Sequence, residues 1–154
     1  MRELPEFSID DLEPLARLDL GIFTNEDAVD LGLCAVEIIT ERELDLAVDV
    51  VLDDYLVFRA RLGSTGPGND PWLAGKAAVA VHFEEPSLLV RRRLEASGQT
   101  VADFGLDPDV YRAHGGSVPL RAGGRVVGTI TISGEPDVID HQVASDAIRS
   151  FLDR

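Results

Sequence analysis

Two kinds of apolar repeat alternate along the chain. Apolar residues recur every three or four positions over residues 25–42, which predicts a helix with a broad apolar face. Residues 44–52 and 55–62 instead alternate with period two around Asp53-Asp54, which predicts a half-buried strand and its returning partner in a β-hairpin. A final helix is predicted by the apolar stripe Ile139, Val143, Ala147 and Phe151.

A second hairpin is predicted by strand patterns at 117–121 and 125–133, which flank a turn at Ala122-Gly123-Gly124. Gly128 interrupts the second of these strands, which indicates a bulge or a close backbone neighbour. The order is helices, hairpin, helices, hairpin, helix, with no β-α-β repeat. It predicts an α+β fold in which helices pack on an antiparallel sheet.

Helix starts are marked by short polar residues. Ser8 is an expected N-cap, and Thr24 with Asp27 has the spacing of a capping box. Asp70-Pro71 combines an N-cap residue with a proline suited to the first helical turn, and Asp107-Pro108 repeats that signal before a short helix ending at Tyr111. Gly32, inside the long helix, predicts a close approach to the sheet or to another subunit.

Composition narrows the class of protein. The chain has 154 residues and a net charge of −14, so it is expected to repel nucleic acid and anionic lipid. No signal peptide or membrane helix is evident, and a single cysteine, Cys34, excludes an internal disulfide. Its apolar neighbours predict a buried structural thiol. We therefore expect one domain over residues 1–154 in the cytoplasm.

The basic residues are almost all arginine. Thirteen are arginine and one, Lys76, is lysine. Either a composition bias left one lysine by chance, or position 76 requires a primary ammonium that a planar guanidinium cannot replace. The one basic run, Arg91-Arg92-Arg93, is expected to be exposed and to pair with acids at a subunit contact.

Candidate chemistry gathers at two places. Lys76 follows Trp72 by one helical turn on an apolar stripe, where an ammonium needs a carboxylate partner. Two histidines stand at opposite ends of the second hairpin, His114 before it and His141 after it. The candidate ligand-binding residues are Asp70, Trp72, Lys76, His114, Gly115, Gly116, Asp140 and His141.

Four segments carry a resemblance to a known family: NDPWLAGK at 69–76, AHGGSVPL at 113–120, GTITISGEP at 128–136 and DHQ at 140–142. Together they resemble the uncharacterised protein family 0303, a branch of the GlcG/HbpS-like superfamily of haem-degrading domain proteins. The resemblance implies a profilin-like α+β fold and symmetric homo-oligomers. It also implies relatives associated with haem, cobalamin-related partners or iron, but no settled reaction for this branch.

The chain departs from the family pattern in three places. Gly75 stands where the family usually has an arginine, apolar residues 77–80 replace further bases, and Glu135 stands in a turn that commonly reads Ser-Gly-Leu-Pro. If the family pocket binds an anion through those bases, this chain has lost part of that pocket.

Several functions remain open at this point. The first is a small-ligand-binding oligomer, for haem or a related tetrapyrrole, with His114 or His141 as axial ligand. The alternative is a non-catalytic interaction or scaffold protein, in which Asp70, Lys76, His114 and Asp140 form a satisfied polar network that fixes the last hairpin or an oligomer interface. An enzyme would use Lys76 as nucleophile or anion clamp and His114 or His141 as general base. Apart from haem iron, the ligand spacing indicates no metal site.

Overall fold

A computed structural model describes residues 3–154 and places helices around a four-stranded antiparallel sheet, which confirms the α+β prediction. Two 3₁₀ turns, at Pro67–Asn69 and Val101–Phe104, complete the regular structure of this part of the chain. The helices and strands are α1 (Ile9–Ala16), α2 (Asn25–Glu41), β1 (Ala47–Leu52), β2 (Tyr55–Arg61), α3 (Asp70–Phe83), α4 (Ser87–Ser97), β3 (Ser117–Ala122), β4 (Arg125–Ser133) and α5 (Asp137–Leu152).

Both predicted hairpins are present, and they pair in the order β2-β1-β4-β3. The turn residues Asp53 and Asp54 have φ of 51° and 67°, and Gly123 and Gly124 have φ of 64° and 83°. Two consecutive positive φ values are what a two-residue turn needs to match the right-handed twist of its strands.

Strand β1 begins at Ala47 rather than Leu44, and every residue in it except Val51 is buried, so the prediction of a half-buried strand is wrong. The reason is its central position between β2 and β4. Val48 and Val50 join the main core on one face, while on the other face the Asp49 carboxylate receives hydrogen bonds from Arg59 at 2.7 and 2.8 Å.

The main hydrophobic core lies between one face of the sheet and helices α2 and α5. Helix α3 packs on β3 and β4 on the opposite face, where buried residues are largely polar. There the hydroxyl groups of Ser117 and Thr131 are 2.9 Å apart in a hydrogen bond. A candidate site built on α3 therefore faces a polar side of the sheet.

Two glycines occupy close contacts that the sequence predicted. A Cβ at Gly32 would overlap the ring of Phe58, which brings α2 against β2. A Cβ at Gly128 would overlap the carbonyl oxygen of Val51, across the β1–β4 ladder. The predicted close approach of the helix to the sheet at Gly32 and the predicted close backbone neighbour at Gly128 are both confirmed.

Of the predicted helix N-caps, Ser8 and Thr24 are present and Asp70 is not. Ser8 is the N-cap of α1 and Thr24 forms a capping box with Asp27, as expected, and the structure adds a capping box between Ser8 and Asp11. Asp70, however, is the first helical residue and not the N-cap, because the 3₁₀ turn Pro67–Asn69 leads directly into α3; the Asp70 carboxylate pairs with Arg61 at 2.7 Å.

The predicted helix at Asp107–Tyr111 is a turn instead. The Asp107 carboxylate accepts the backbone N–H of Asp109, a local bond that competes with helix formation. The backbone N–H of Arg112 then donates to the carbonyl of Gly75 at 3.1 Å, which draws the chain across α3.

Two further expectations are corrected. Cys34 is only partly buried. The arginine triplet pairs within its own chain: Arg91 with Asp137, Arg92 with Glu95, and Arg93 with Glu85, and only Arg93 of the three is exposed. Over residues 3–154, no helix combines the length and the apolarity needed to cross a bilayer.

Candidate functional site beside helix α3

The Lys76 side chain is buried, with 3% of it exposed, in the middle of α3. Its Nζ donates to the Asp140 Oδ2 atom at 2.9 Å and to the Ile132 carbonyl oxygen at 3.0 Å. The predicted carboxylate partner is therefore Asp140, whose side chain is 1% exposed. One ammonium thus joins α3, β4 and α5.

The carboxylate of Asp140 is held on both oxygens. While Oδ2 faces Lys76, Oδ1 accepts the backbone N–H of Glu135 at 3.0 Å. Burial raises the pKa of the Asp140 carboxyl to about 6, against the opposing effect of the Lys76 ammonium and of the backbone N–H groups of Glu135 and Gly134. The charged form of this carboxyl therefore depends on its partners.

The loop before β3 presents His114 beside Trp72. The two rings meet edge to face, with centroids 5.4 Å apart. His114 is exposed on one side, yet desolvation on its protein side lowers the pKa of the imidazole, and Arg91 adds to this effect while Asp137 opposes it. A lowered pKa keeps the imidazole neutral at pH 7.

Asp137 and Arg91 hold that loop, and sequence reasoning did not select either of them for the site. The Asp137 Oδ2 atom accepts the backbone N–H of Gly115 at 2.8 Å and the guanidinium of Arg91. Burial tends to raise the pKa of Asp137, but these two donors outweigh it, so the pKa is lowered. Asp137 follows a proline at the start of a helix, which is a sequence signal for a local role but not for a partner 46 residues away.

Two cavities adjoin at Trp72 and His114, which line both. One, of about 370 Å³, is polar; we call it the Lys76 cavity, and its other lining residues include Lys76, Asp137, Asp140 and Ser133. The second, of about 420 Å³, we call the Tyr111 cavity, and it is lined also by Leu94, Val101, Tyr111 and Arg112. The Arg112 guanidinium lies 4.4 Å from the centroid of the Trp72 ring, a cation–π arrangement.

His141 does not reach either cavity. Its side chain is buried against Phe7, with ring centroids 4.9 Å apart, and its Nδ1 atom has no hydrogen-bond partner among the described residues. Burial lowers the pKa of His141 to about 4. The two neighbours Asp140 and His141 therefore point to different surroundings, since adjacent helical residues do not share a face.

The remaining candidates have local contacts of their own. Asp70 pairs with Arg61 and does not join Lys76 and Asp140. Gly115 and Gly116 are buried, and a Cβ at Gly116 would overlap the Ile132 carbonyl and lie 3.1 Å from the Lys76 Nζ atom. Gly116 therefore allows the loop to pass close to the ammonium. Within residues 3–154, histidine, cysteine and acidic side chains form no group of three or more that could hold a metal ion.

Known families and proteins are similar to this chain over most of its length. A family model described as haem degrading protein HbpS-like matches residues 23–149. A UPF0303 protein of Streptomyces coelicolor is 42% identical over 138 residues, which are 88% of this chain and 87% of that protein. The resemblance identified from the four sequence segments is confirmed by these matches.

Solved structures with the same fold include the crystal structure of the Ybr137w protein, with a TM-score of 0.86 and 26% identity over 96% of this chain and 90% of that one. The crystal structure of HbpS gives a TM-score of 0.68 and 25% identity over 87% of this chain and 94% of that one. The crystal structure of a complex of PduOC with heme gives a TM-score of 0.68 and 21% identity over 86% of this chain and 95% of that one. At this identity the likeness is one of fold alone.

Proposed function

The chain belongs to the family described as haem degrading protein HbpS-like, in its UPF0303 branch, and we propose that it binds haem or a related tetrapyrrole beside His114 in a homo-oligomer. The observation that carries the proposal is the position of His114. This imidazole stands on the wall shared by two adjoining cavities, and its lowered pKa keeps it neutral. A neutral imidazole offers the nitrogen lone pair that haem iron requires of an axial histidine.

The residues around His114 suit a flat, mainly apolar ligand with acidic edges. The Tyr111 cavity, at about 420 Å³, is within the range of roughly 300–1,000 Å³ that is usual for ligand pockets. Trp72, Leu94 and Val101 supply apolar wall, and the Arg112 guanidinium suits a carboxylate such as a haem propionate. Haem, when bound, supplies an iron centre; the chain's residues bind and orient it.

Of the two histidines that the sequence offered as axial ligands, the geometry favours His114. His141 is 2% exposed and packs against Phe7, so a ligand reaches it only if the N-terminal segment moves. The proposal therefore depends on one side chain, which makes it simple to test.

Assembly into a homo-oligomer is supported by the outer face of α3. Residues 71–82 contain one charged side chain, the buried Lys76, in a chain with a net charge of −14. Trp72, Ala74 and Val81 are nevertheless exposed. A helix that is apolar on all sides is usually covered on all sides. Light scattering of the purified protein tests this part of the proposal, and a monomer at micromolar concentration contradicts it.

Hemin titration tests the ligand. We expect a saturable Soret shift with the wild-type protein and quenching of the fluorescence of Trp72, the only tryptophan, which contacts His114. His114→Ala should abolish the Soret shift. His82→Ala is the matched control, because His82 is exposed and lines neither cavity.

The titration has two outcomes that contradict haem binding at His114. One is the absence of any saturable change at micromolar protein. The other is an unchanged Soret shift in His114→Ala, which would place bound hemin elsewhere on the chain. If neither hemin nor another tetrapyrrole binds, a non-catalytic interaction or scaffold role becomes the better explanation of the protein's function.

A further inference from the structure

One guanidinium at the Tyr111 cavity has no acid partner, although the chain has 28 acidic residues and 14 basic ones. Over residues 3–154, every arginine except Arg112 and Arg125 forms an ion pair with an aspartate or a glutamate. Arg125 is exposed at the start of β4, whereas Arg112 is partly buried and lines the Tyr111 cavity. We propose that Arg112 makes this cavity a binding site for flat aromatic carboxylates. The proposal does not rest on haem binding, since neither iron nor an axial histidine takes part.

The fold fixes the position of Arg112 across helix α3. Its backbone N–H donates to the Gly75 carbonyl oxygen at 3.1 Å, and a Cβ at Gly75 would lie 2.6 Å from the Arg112 Cγ atom. The aliphatic part of Arg112 therefore crosses α3 where the helix carries no side chain. Beyond it, the guanidinium lies 4.4 Å from the centroid of the Trp72 ring. Because these contacts already order the side chain, a ligand has little ordering cost to meet when it binds there.

Most hydrogen-bond donors of this guanidinium are left for a ligand. A guanidinium has five N–H donors, and the one on Nε donates to the Asp109 carbonyl oxygen at 3.3 Å. The donors on Nη1 and Nη2 have no acceptor among the residues that the structure describes. Two parallel N–H groups match the two oxygens of a carboxylate, and such bidentate pairs are among the strongest hydrogen bonds in proteins. The outer end of Arg112 therefore suits a carboxylate.

The other walls of the Tyr111 cavity suit an aromatic ring. Leu94 and Val101 belong to a buried hydrophobic cluster and line the cavity together with Ala113. The rings of Trp72 and Tyr111 add aromatic surface to the same lining. A flat ring can pack against these walls while its carboxylate meets the guanidinium, and the volume of about 420 Å³ allows one or two fused rings. The cavity thus combines apolar walls with one unpaired cation, which is the arrangement that an aromatic acid needs.

The charges around the Tyr111 cavity favour a ligand with one negative charge over a ligand with two. Arg91, the other cation of the lining, is already paired with Asp137 and Glu95. Asp109 adds a further acidic group to the lining, in a chain whose net charge is −14. One unpaired guanidinium balances a carboxylate, but it leaves the second charge of a phosphate ester uncompensated. The expected ligand is therefore a monoanion.

Isothermal titration calorimetry of the whole haem-free protein with 2-naphthoate and with 2-naphthamide tests the proposal. The amide has the same two rings but no charge. We expect the wild type to bind the acid at least about tenfold more tightly than the amide, because the amide loses the charge-assisted pair with Arg112. Arg112→Met should bind the two within about twofold of each other, since it keeps an apolar side chain beside Gly75 but no donor. 2-Naphthyl phosphate should bind the wild type at least about threefold more weakly than 2-naphthoate.

Arg125→Met is the matched control, because it removes the same charge from an exposed arginine that lines neither cavity; it should keep the wild-type preference for the acid. Equal wild-type affinity for acid and amide, or no acid binding at millimolar concentration, overturns the proposal whether or not Arg112→Met folds. An unchanged preference in Arg112→Met overturns the role of Arg112. Phosphate ester binding as tight as that of the acid overturns the assigned ligand class. These readouts use no hemin, so their failure is distinct from failure of haem binding, which the Soret shift reports.

Discussion

Lys76 and Asp140 are 64 residues apart in the chain, yet their side chains meet at 2.9 Å in a region where each is at most 3% exposed. The Ile132 carbonyl accepts from the same ammonium, so the pair fastens α3 to β4 and α5. Because neither charge reaches bulk water, each depends on the other for its solvation.

Removal of one member of this pair should therefore be costly. We expect Lys76→Met to lower the free energy of unfolding by about 3–5 kcal/mol, since it leaves the Asp140 charge buried and unpaired. The double variant Lys76→Met/Asp140→Asn should recover most of that loss, because the asparagine oxygen still accepts the Glu135 N–H while the charge is gone. Urea denaturation measures both.

Asp70→Ala is the matched control, because Asp70 lies on α3, as Lys76 does, and forms an ion pair with Arg61 that is partly exposed to solvent. The side chains of Arg61 and Asp70 are 29% and 40% exposed, so breaking their pair should cost about 0–1 kcal/mol. If Lys76→Met costs no more than Asp70→Ala, the buried pair does not have the structural role described above.

The need for a carboxylate beside Lys76 could be predicted from the helical stripe with Trp72, and the polar-network hypothesis offered Asp70 and Asp140, but the sequence could not choose between these two. Capping boxes at Ser8 and Thr24 were predictable because every atom involved lies within four residues. The Arg91–Asp137 pair depends on how α4 and α5 meet, and the bond from the Arg112 N–H to the Gly75 carbonyl depends on how the segment after the Asp107 turn crosses α3. Such contacts follow from tertiary packing, which periodicity does not encode.

The charge of Asp137 should affect the pKa of the His114 imidazole. The Asp137 carboxylate raises the pKa of His114, while desolvation and Arg91 lower it. Asp137→Asn removes the negative charge and leaves Arg91 paired with Glu95 alone, so the pKa of His114 should fall further below its ordinary value. The titration of the His114 ring protons by NMR measures this shift in the haem-free protein.

Asp146→Asn is the control for this measurement, because Asp146 acts on His141 and not on His114. The His114 titration should be the same in Asp146→Asn and in the wild type. A His114 pKa that rises or stays unchanged in Asp137→Asn would show that Asp137 only anchors the loop through the Gly115 N–H.

His141 should make the protein less stable in acid. Its pKa is about 4 when folded and 6.5 when unfolded, so between these values the unfolded chain binds the extra proton. Stability from this group is complete above pH 6.5 and is lost as the pH falls to 4, a change of about 3 kcal/mol. The charged groups around it are Asp137 and Asp146, which raise the pKa, and Arg92, which lowers it.

The raised pKa of Asp140 acts in the opposite direction over a similar range, because its folded form binds the extra proton between the unfolded value of 3.8 and about 6. The measurement must therefore compare His141→Leu with the wild type at each pH. The variant should lose less stability between pH 6.5 and pH 4. Parallel stability curves for the two proteins would contradict the buried, neutral state of His141.

Three glycine-to-alanine changes should differ in their effect on stability according to what the new methyl group meets. At Gly128 it meets the Val51 carbonyl, and backbone in the middle of a sheet cannot turn aside, so we expect a loss of about 3 kcal/mol or more. At Gly32 it meets the ring of Phe58 on edge strand β2, which can rotate, and alanine gains about 1 kcal/mol of helix propensity, so the net loss should be about 1 kcal/mol. Gly68→Ala, with open space around it, should be neutral or stabilising by about 0.5 kcal/mol. Thermal unfolding of the three variants measures the order, and a Gly128→Ala protein as stable as Gly68→Ala would mean that β1 and β4 are not paired in this register.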